Sequence, residues 1–159
     1  MHGSLSLQVT LASQMTTLQA SPALAVPITI SVHNPADAPM TLLRWNSPLD
    51  LSAGLLGVFE VCDTGTGQAV PVDTIKISRK LPASLEDLVE IPAGQTVNQT
   101  VNLPEIQLEE GHEYSIRAQG IWHAVWDMPL ADVTASQLND LTGSTRGQFQ
   151  SNIAVVKVE

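Results

Sequence analysis

The chain has 159 residues, 43% of them hydrophobic and 14% charged, and its 7 basic and 16 acidic side chains give a formal net charge of −9 at pH 7. A chain of this length buries roughly 70% of the surface its unfolded form exposes, so it needs neither disulfides nor a structural metal, and its single cysteine, Cys62, accords with that. Seven scattered Lys and Arg residues argue against nucleic acid and anionic membrane as partners, and no apolar run nears the ~20 residues of a membrane helix.

Met1-His2-Gly3-Ser4 has no charged start leading into an apolar stretch, so it does not read as a signal peptide. These four residues read as a start or as the scar of a replaced leader, and residues 5–159 as a single β-sandwich domain. The chain as it stands reads as cytoplasmic, or as secreted if a leader was removed. The sequon Asn98-Gln99-Thr100 is of a kind that also arises by chance.

Leu5, Leu7, Val9 and Leu11 alternate with Ser6, Gln8 and Thr10, the period of a strand with one buried face. Val26, Ile28, Ile30 and Val32 repeat it, and Asn34-Pro35-Ala36-Asp37-Ala38-Pro39 supplies a turn before a returning strand over Met40 to Trp45. Val58 to Cys62 and Ala69 to Val72 flank the turn Asp63-Thr64-Gly65-Thr66-Gly67, and Ile75 and Ile77 predict a further strand. Ser84 followed by Leu85-Glu86-Asp87 predicts a capped helical turn. Val97, Val101 and Leu103 face inward on the next strand, interrupted by Gln99. The run His112 to Trp126 is a long strand bent at Gly120. Residues 134–143 read as a short helix or a loop, with Thr134 as N-cap and Gly143 as stop, and Phe149 to Val158 closes the chain as a strand. About eight short strands with turn signals roughly every 8 to 15 residues predict an all-β fold, an antiparallel immunoglobulin-like β-sandwich with one or two short helical turns.

No catalytic constellation stands out, so the chain reads as a non-enzyme with no cofactor and no metal. His112-Glu113 lacks the second histidine of a zinc-protease helix, which leaves only His33, His112 and His123 for a metal. Cys62 reads as a small buried hydrophobe. The cluster Glu105, Glu109, Glu110 and Glu113 lacks a calcium-loop pattern and reads as a solvated rim. Ile121-Trp122-His123-Ala124-Val125-Trp126 holds two of the three tryptophans. Strand geometry puts Trp122, Ala124 and Trp126 on one face and His123 and Val125 on the other. The tryptophans either fill the space between sheets or form an exposed aromatic anchor.

In order along the chain, several segments resemble the amino-terminal propeptide of the deuterolysin family, fungal secreted zinc endopeptidases. They are Leu5 to Leu11, Val32-His33-Asn34-Pro35, Leu42-Leu43-Arg44-Trp45-Asn46-Ser47-Pro48-Leu49-Asp50, Ile91 to Val97, Gly111 to Gly120 and Phe149-Gln150-Ser151-Asn152. The family's catalytic domain has no counterpart here. The resemblance implies a non-catalytic partner of a metalloprotease, acting as inhibitor or folding assistant. The alternative is a free-standing module for self-association or for binding a protein or carbohydrate. Candidate partner-binding residues are Trp122, His123, Trp126, Asn46 and Asp50, and candidate surfaces are the Asn46 to Leu55 loop and the Trp126 to Gly147 segment.

Overall fold

The computed structural model describes residues 7–13, 17–18, 24–106 and 108–158. The expected start at residues 1–4 and the first two residues of the strand from Leu5 lie outside them. Among the described residues the strands are β1 (Gln8–Ser13), β2 (Thr17–Leu18), β3 (Leu24–His33), β4 (Met40–Leu43), β5 (Phe59–Asp63), β6 (Leu88–Ile91), β7 (Thr96–Ile106), β8 (Glu113–Trp126), β9 (Thr145–Gln150) and β10 (Ala154–Val158), with one helix, α1 (Ala135–Asp140). Single 3-10 turns cover Ala53–Leu55, Leu85–Asp87 and Leu130–Asp132.

Two sheets face each other. The first has the antiparallel order β1-β3-β7. The second is organised around β8, whose first half lies between β5 and β10 and whose second half pairs β9 and β4. Beyond β4 lies β6, and β2 joins β10 in parallel. The alternating Val26, Ile28, Ile30 and Val32 of β3 are fully buried, in one core with Val61, Ile116, Trp122 and Val156 of the other sheet. The all-β, antiparallel, immunoglobulin-like expectation therefore stands.

The exchange of β8's neighbours falls beside Gly120, where an added Cβ would lie 2.9 Å from Phe149 Cζ. That ring covers the glycine and packs on Trp122 at 4.8 Å between centroids. A register shift between Trp122 and Val125 then overturns the expected sharing of faces. Trp122 joins Val125 in the main core, whereas Ala124 and Trp126 enter a second core with Leu43, Ala83 and Leu88. Met128, Leu130, Leu138 and Leu141 from the connection after β8 pack over this second core. Within that connection Thr134 caps α1, as expected, by accepting the Gln137 N–H at 3.2 Å.

Four predicted elements differ. The strand expected to return along β3 is Met40–Leu43 and pairs instead with β6 and β8 in the other sheet. Phe149 to Val158 is two strands, because Ser151 replaces a ladder partner: its Oγ accepts the Ala118 N–H at 2.8 Å. The next residue, Asn152, bridges to the other sheet by accepting the Leu11 N–H at 2.7 Å and donating to the Leu11 carbonyl at 3.2 Å. Ala69 to Val72 contributes only an isolated bridge from Ala69 to Cys62. Ile75 and Ile77 lie outside any strand, and β6, directly after the Ser84 turn, takes the place beside β4.

Candidate functional site

Residues 71–82 form an irregular segment outside any helix or strand, most of it exposed, that runs from the chain after β5 toward Ala83, with bends and a cis peptide bond at Leu81–Pro82. Three contacts hold it to the loop before β5, one of them from Arg79 Nη1 to the Asn46 side-chain oxygen at 3.4 Å. The Ile75 N–H donates to the Leu55 carbonyl at 2.8 Å, and Arg79 donates to both carboxylate oxygens of Asp50 at 2.7 and 3.1 Å. Asp50 is only 3% exposed and also accepts the N–H groups of Asn46 and Ser52 at 2.8 and 2.9 Å. Burial alone would raise its pKa, but the Arg79 guanidinium and these N–H groups outweigh that and hold it below the ordinary aspartate value.

The loop that carries Asp50 is built into the fold. Ser47, Leu49 and Ala53 are fully buried, Arg44 donates to the Leu49 carbonyl at 3.1 Å, and Gln99 of β7 donates to the Asp50 carbonyl at 3.0 Å. That last contact explains the polar residue on the inward face of β7. Gly54 seals the junction, since a Cβ there would stand 2.6 Å from the Asn102 carbonyl oxygen. What this loop and the segment leave in water is apolar. Of the nine large hydrophobic side chains exposed among the described residues, five are Leu51, Leu55, Ile75, Ile77 and Leu81. Lys76, Arg79 and Lys80 add three of the chain's seven basic residues within five positions. The result is an apolar and basic face on an acidic protein.

Where this segment leaves β5, Val70, Pro71 and Asp73 help line a cleft of about 420 Å³ with Asp63, Glu109, His112 and Tyr114. His112 Nδ1 lies 2.7 Å from Asp63 Oδ2 and Nε2 lies 3.2 Å from Glu109 Oε2. The hydrogen bond to Asp63 raises the His112 pKa and lowers that of Asp63. Both ring nitrogens thus face carboxylates, an arrangement that stabilises an imidazolium. Among the described residues no three His, Cys, Asp or Glu side chains are grouped to hold a metal. Cys62 is half-buried on the solvent side of β5 rather than in the core. Burial, then the Glu60 carboxylate, raises its pKa and keeps the thiol protonated.

The residues singled out from the sequence fall into three places. Trp122 and Trp126 are 1% and 0% exposed, so the aromatic-anchor reading is corrected to core packing; the Trp126 Nε1–H is satisfied by the Thr142 carbonyl at 2.9 Å. Asp50 is a buried clamp whose carboxylate is taken up by Arg79, Asn46 and Ser52. Asn46 and His123 are brought together along a shallow groove of about 210 Å³ with Gly57, Gln119 and Ile121, and burial, then the charge of Arg146, lowers the His123 pKa. Arg79 was missed, and so was the segment around it. The signal available was a basic trio in an acidic chain, hidden because Ile75 and Ile77 have strand spacing.

A family model for the immunoglobulin-like domain matches residues 7–158. An uncharacterized secreted protein of Arthroderma benhamiae is 46% identical over 124 residues, 76% of this chain and 63% of that protein, so the chain spans about 63% of that relative's length. Two solved structures align at 12% identity. The E. coli chaperone DraB has a TM-score of 0.32, with 96% of this chain and 55% of that chain covered. The Salmonella enterica SafA pilin in complex with the SafB chaperone has a TM-score of 0.28, with 92% and 53% covered. Likenesses of that size carry no functional argument.

Proposed function

Since the chain belongs to the immunoglobulin-like domain family, we propose that it is a non-catalytic protein-binding module that docks through the face formed by residues 51–55 and 71–82. The carrying observation is the concentration there of Leu51, Leu55, Ile75, Ile77 and Leu81 in water. Exposed apolar side chains grouped beside charged ones are the composition of an interaction surface rather than of a solvated face. The segment is already clamped at Leu55 and Asp50. A partner therefore gains contact without having to order a flexible loop.

The resemblance to deuterolysin propeptides supports a zinc metalloprotease as that partner, held inactive or assisted in folding. A stretch such as residues 76–82, which makes no backbone–backbone hydrogen bond among the described residues, can lie along a protease cleft or add to a sheet edge. The motif residues Asn34, Asp50, Ser151 and Asn152 each tie segments of the fold together, which leaves contact with the partner to other side chains. A non-catalytic role is supported by the occupied ring nitrogens of His112 and the suppressed Cys62 thiolate. The secreted relative supports secretion. Self-association is the second reading, favoured by the exposed Lys76 and Lys80 on a chain of net charge −9.

The test is incubation with a deuterolysin-type protease, reading peptide turnover and co-elution, with a dilution series of the chain alone. Slowed turnover with a co-eluting complex is the expected result. Unaltered turnover without a complex sinks the metalloprotease reading, and concentration-dependent elution of the chain alone would move the conclusion to self-association.

A further inference from the structure

We propose that the 71–82 segment is a built-in processing site, at which a serine endoprotease selective for lysine cuts the folded chain after Lys76 and Lys80 and leaves a stable two-chain form. This does not depend on the identity of the docking partner.

An endoprotease needs several residues of accessible, extended backbone that can leave its own protein without unfolding it. Between the Ile75 N–H bond to Leu55 and the Ala83 N–H bond to the Leu138 carbonyl, residues 76–82 make no backbone–backbone hydrogen bond among the described residues. Seven residues drawn out reach at most about 23 to 25 Å, enough to occupy a protease cleft, and this stretch has no helix or strand to be undone first. Lys76 and Lys80 are exposed and form no ion pair among the described residues, so each can enter a specificity pocket that holds a carboxylate. Arg79 cannot, because its guanidinium is held by both oxygens of Asp50. The clamp therefore selects the bonds: Lys76–Ile77 and Lys80–Leu81 are offered and Arg79–Lys80 is withheld. The remaining basic residues are poorer targets, since Arg117, Arg146 and Lys157 lie in strands and Arg44 is half-buried and bonded to Leu49.

Hydrolysis at Lys80 breaks the C–N bond to Leu81. The serine first takes the Lys80 acyl group while the Leu81 nitrogen receives a proton. Water then releases the acyl group as a carboxylate. The halves stay together because their strands interleave: β3 pairs with β7, and both β4 and β5 pair with β8.

The test is brief exposure of the native chain to trypsin, followed by intact-mass spectrometry and size exclusion. The expected first cuts follow Lys76 and Lys80, not Arg79, and the nicked protein elutes where the intact chain does. In Asp50→Asn a cut after Arg79 appears and the segment is cut several-fold faster. In Lys76→Gln/Lys80→Gln, which changes only exposed side chains, the native chain resists at concentrations that digest it in urea. First cuts at Arg44, Arg117, Arg146 or Lys157, or an uncut segment in the wild-type chain, would overturn the proposal. So would halves that separate on nicking.

Discussion

Asp50→Asn changes one oxygen to an amide nitrogen at nearly constant volume, so it tests the clamp apart from packing. The carboxylate accepts four hydrogen bonds, from Asn46, Ser52 and twice from Arg79. An amide oxygen can serve about half of them, and its NH₂ then faces groups that also donate. Hydrogen bonds to a charged group contribute about 1.5 to 3 kcal/mol each, and removing one partner of a buried pair costs about 3 to 5 kcal/mol. Arg79 is 20% exposed and can turn toward water, so the lower end applies, about 3 kcal/mol. At about 2 to 4 °C per kcal/mol for a domain of this size, the melting temperature at pH 7 should fall by about 6 to 12 °C.

The pH dependence has a definite sign. The Asp50 pKa is lowered on folding, so its contribution is fully present above the ordinary value of about 3.9 and is lost as pH falls through the native value. Melts followed by circular dichroism at several pH values should show wild type and variant converging in acid. A shift under about 1 °C at pH 7, or a gap that persists into strong acid, would refute the reasoning.

Trp122→Ala should cost about 3 to 5 kcal/mol as a buried ring leaving a cavity beside Phe149, and a drop in melting temperature below about 3 °C would return that ring to the surface. Gly54→Ala should destabilise by about 1 to 3 kcal/mol in denaturant titration, because its Cβ meets backbone at Asn102; wild-type stability would show that the loop is not sealed onto β7. The raised His112 pKa contributes stability that is fully present below about 6.5 and lost as pH rises through the native value. The melting-temperature gap between wild type and His112→Gln should therefore be wider at pH 6 than at pH 8.5, and a constant gap would contradict the ion pair with Asp63.

Much of the sandwich was legible from period-2 spacing, as in Val26 to Val32, where every second side chain meets the opposite sheet. The failures came where a tertiary partner decided the outcome. Leu88–Ile91 is four residues with three of them buried, too short and too uniform to show alternation, and becomes a strand only because β4 lies alongside. Ile75 and Ile77 have strand spacing but no ladder neighbour among the described residues. A register shift of the kind between Trp122 and Val125 leaves no mark in composition, so the two tryptophans were placed together although they fill different cores. Asp50 was picked out as a contact residue; its role as a clamp depends on Arg79, 29 positions away, and that pairing belongs to the fold rather than to any local motif.

The docking face is tested most directly by Leu51→Ser/Ile75→Ser/Ile77→Ser, which alters exposed side chains at the centre of the face. Binding of this variant and of wild type to a deuterolysin-type protease would be compared by calorimetry, with thermal melts as the control for folding. Loss of three apolar anchors worth about 1 to 2 kcal/mol each at an interface should weaken binding by at least about 100-fold while the melting temperature stays within about 2 °C. Wild-type affinity in the folded variant would contradict the assignment of residues 51–55 and 71–82 as the docking face.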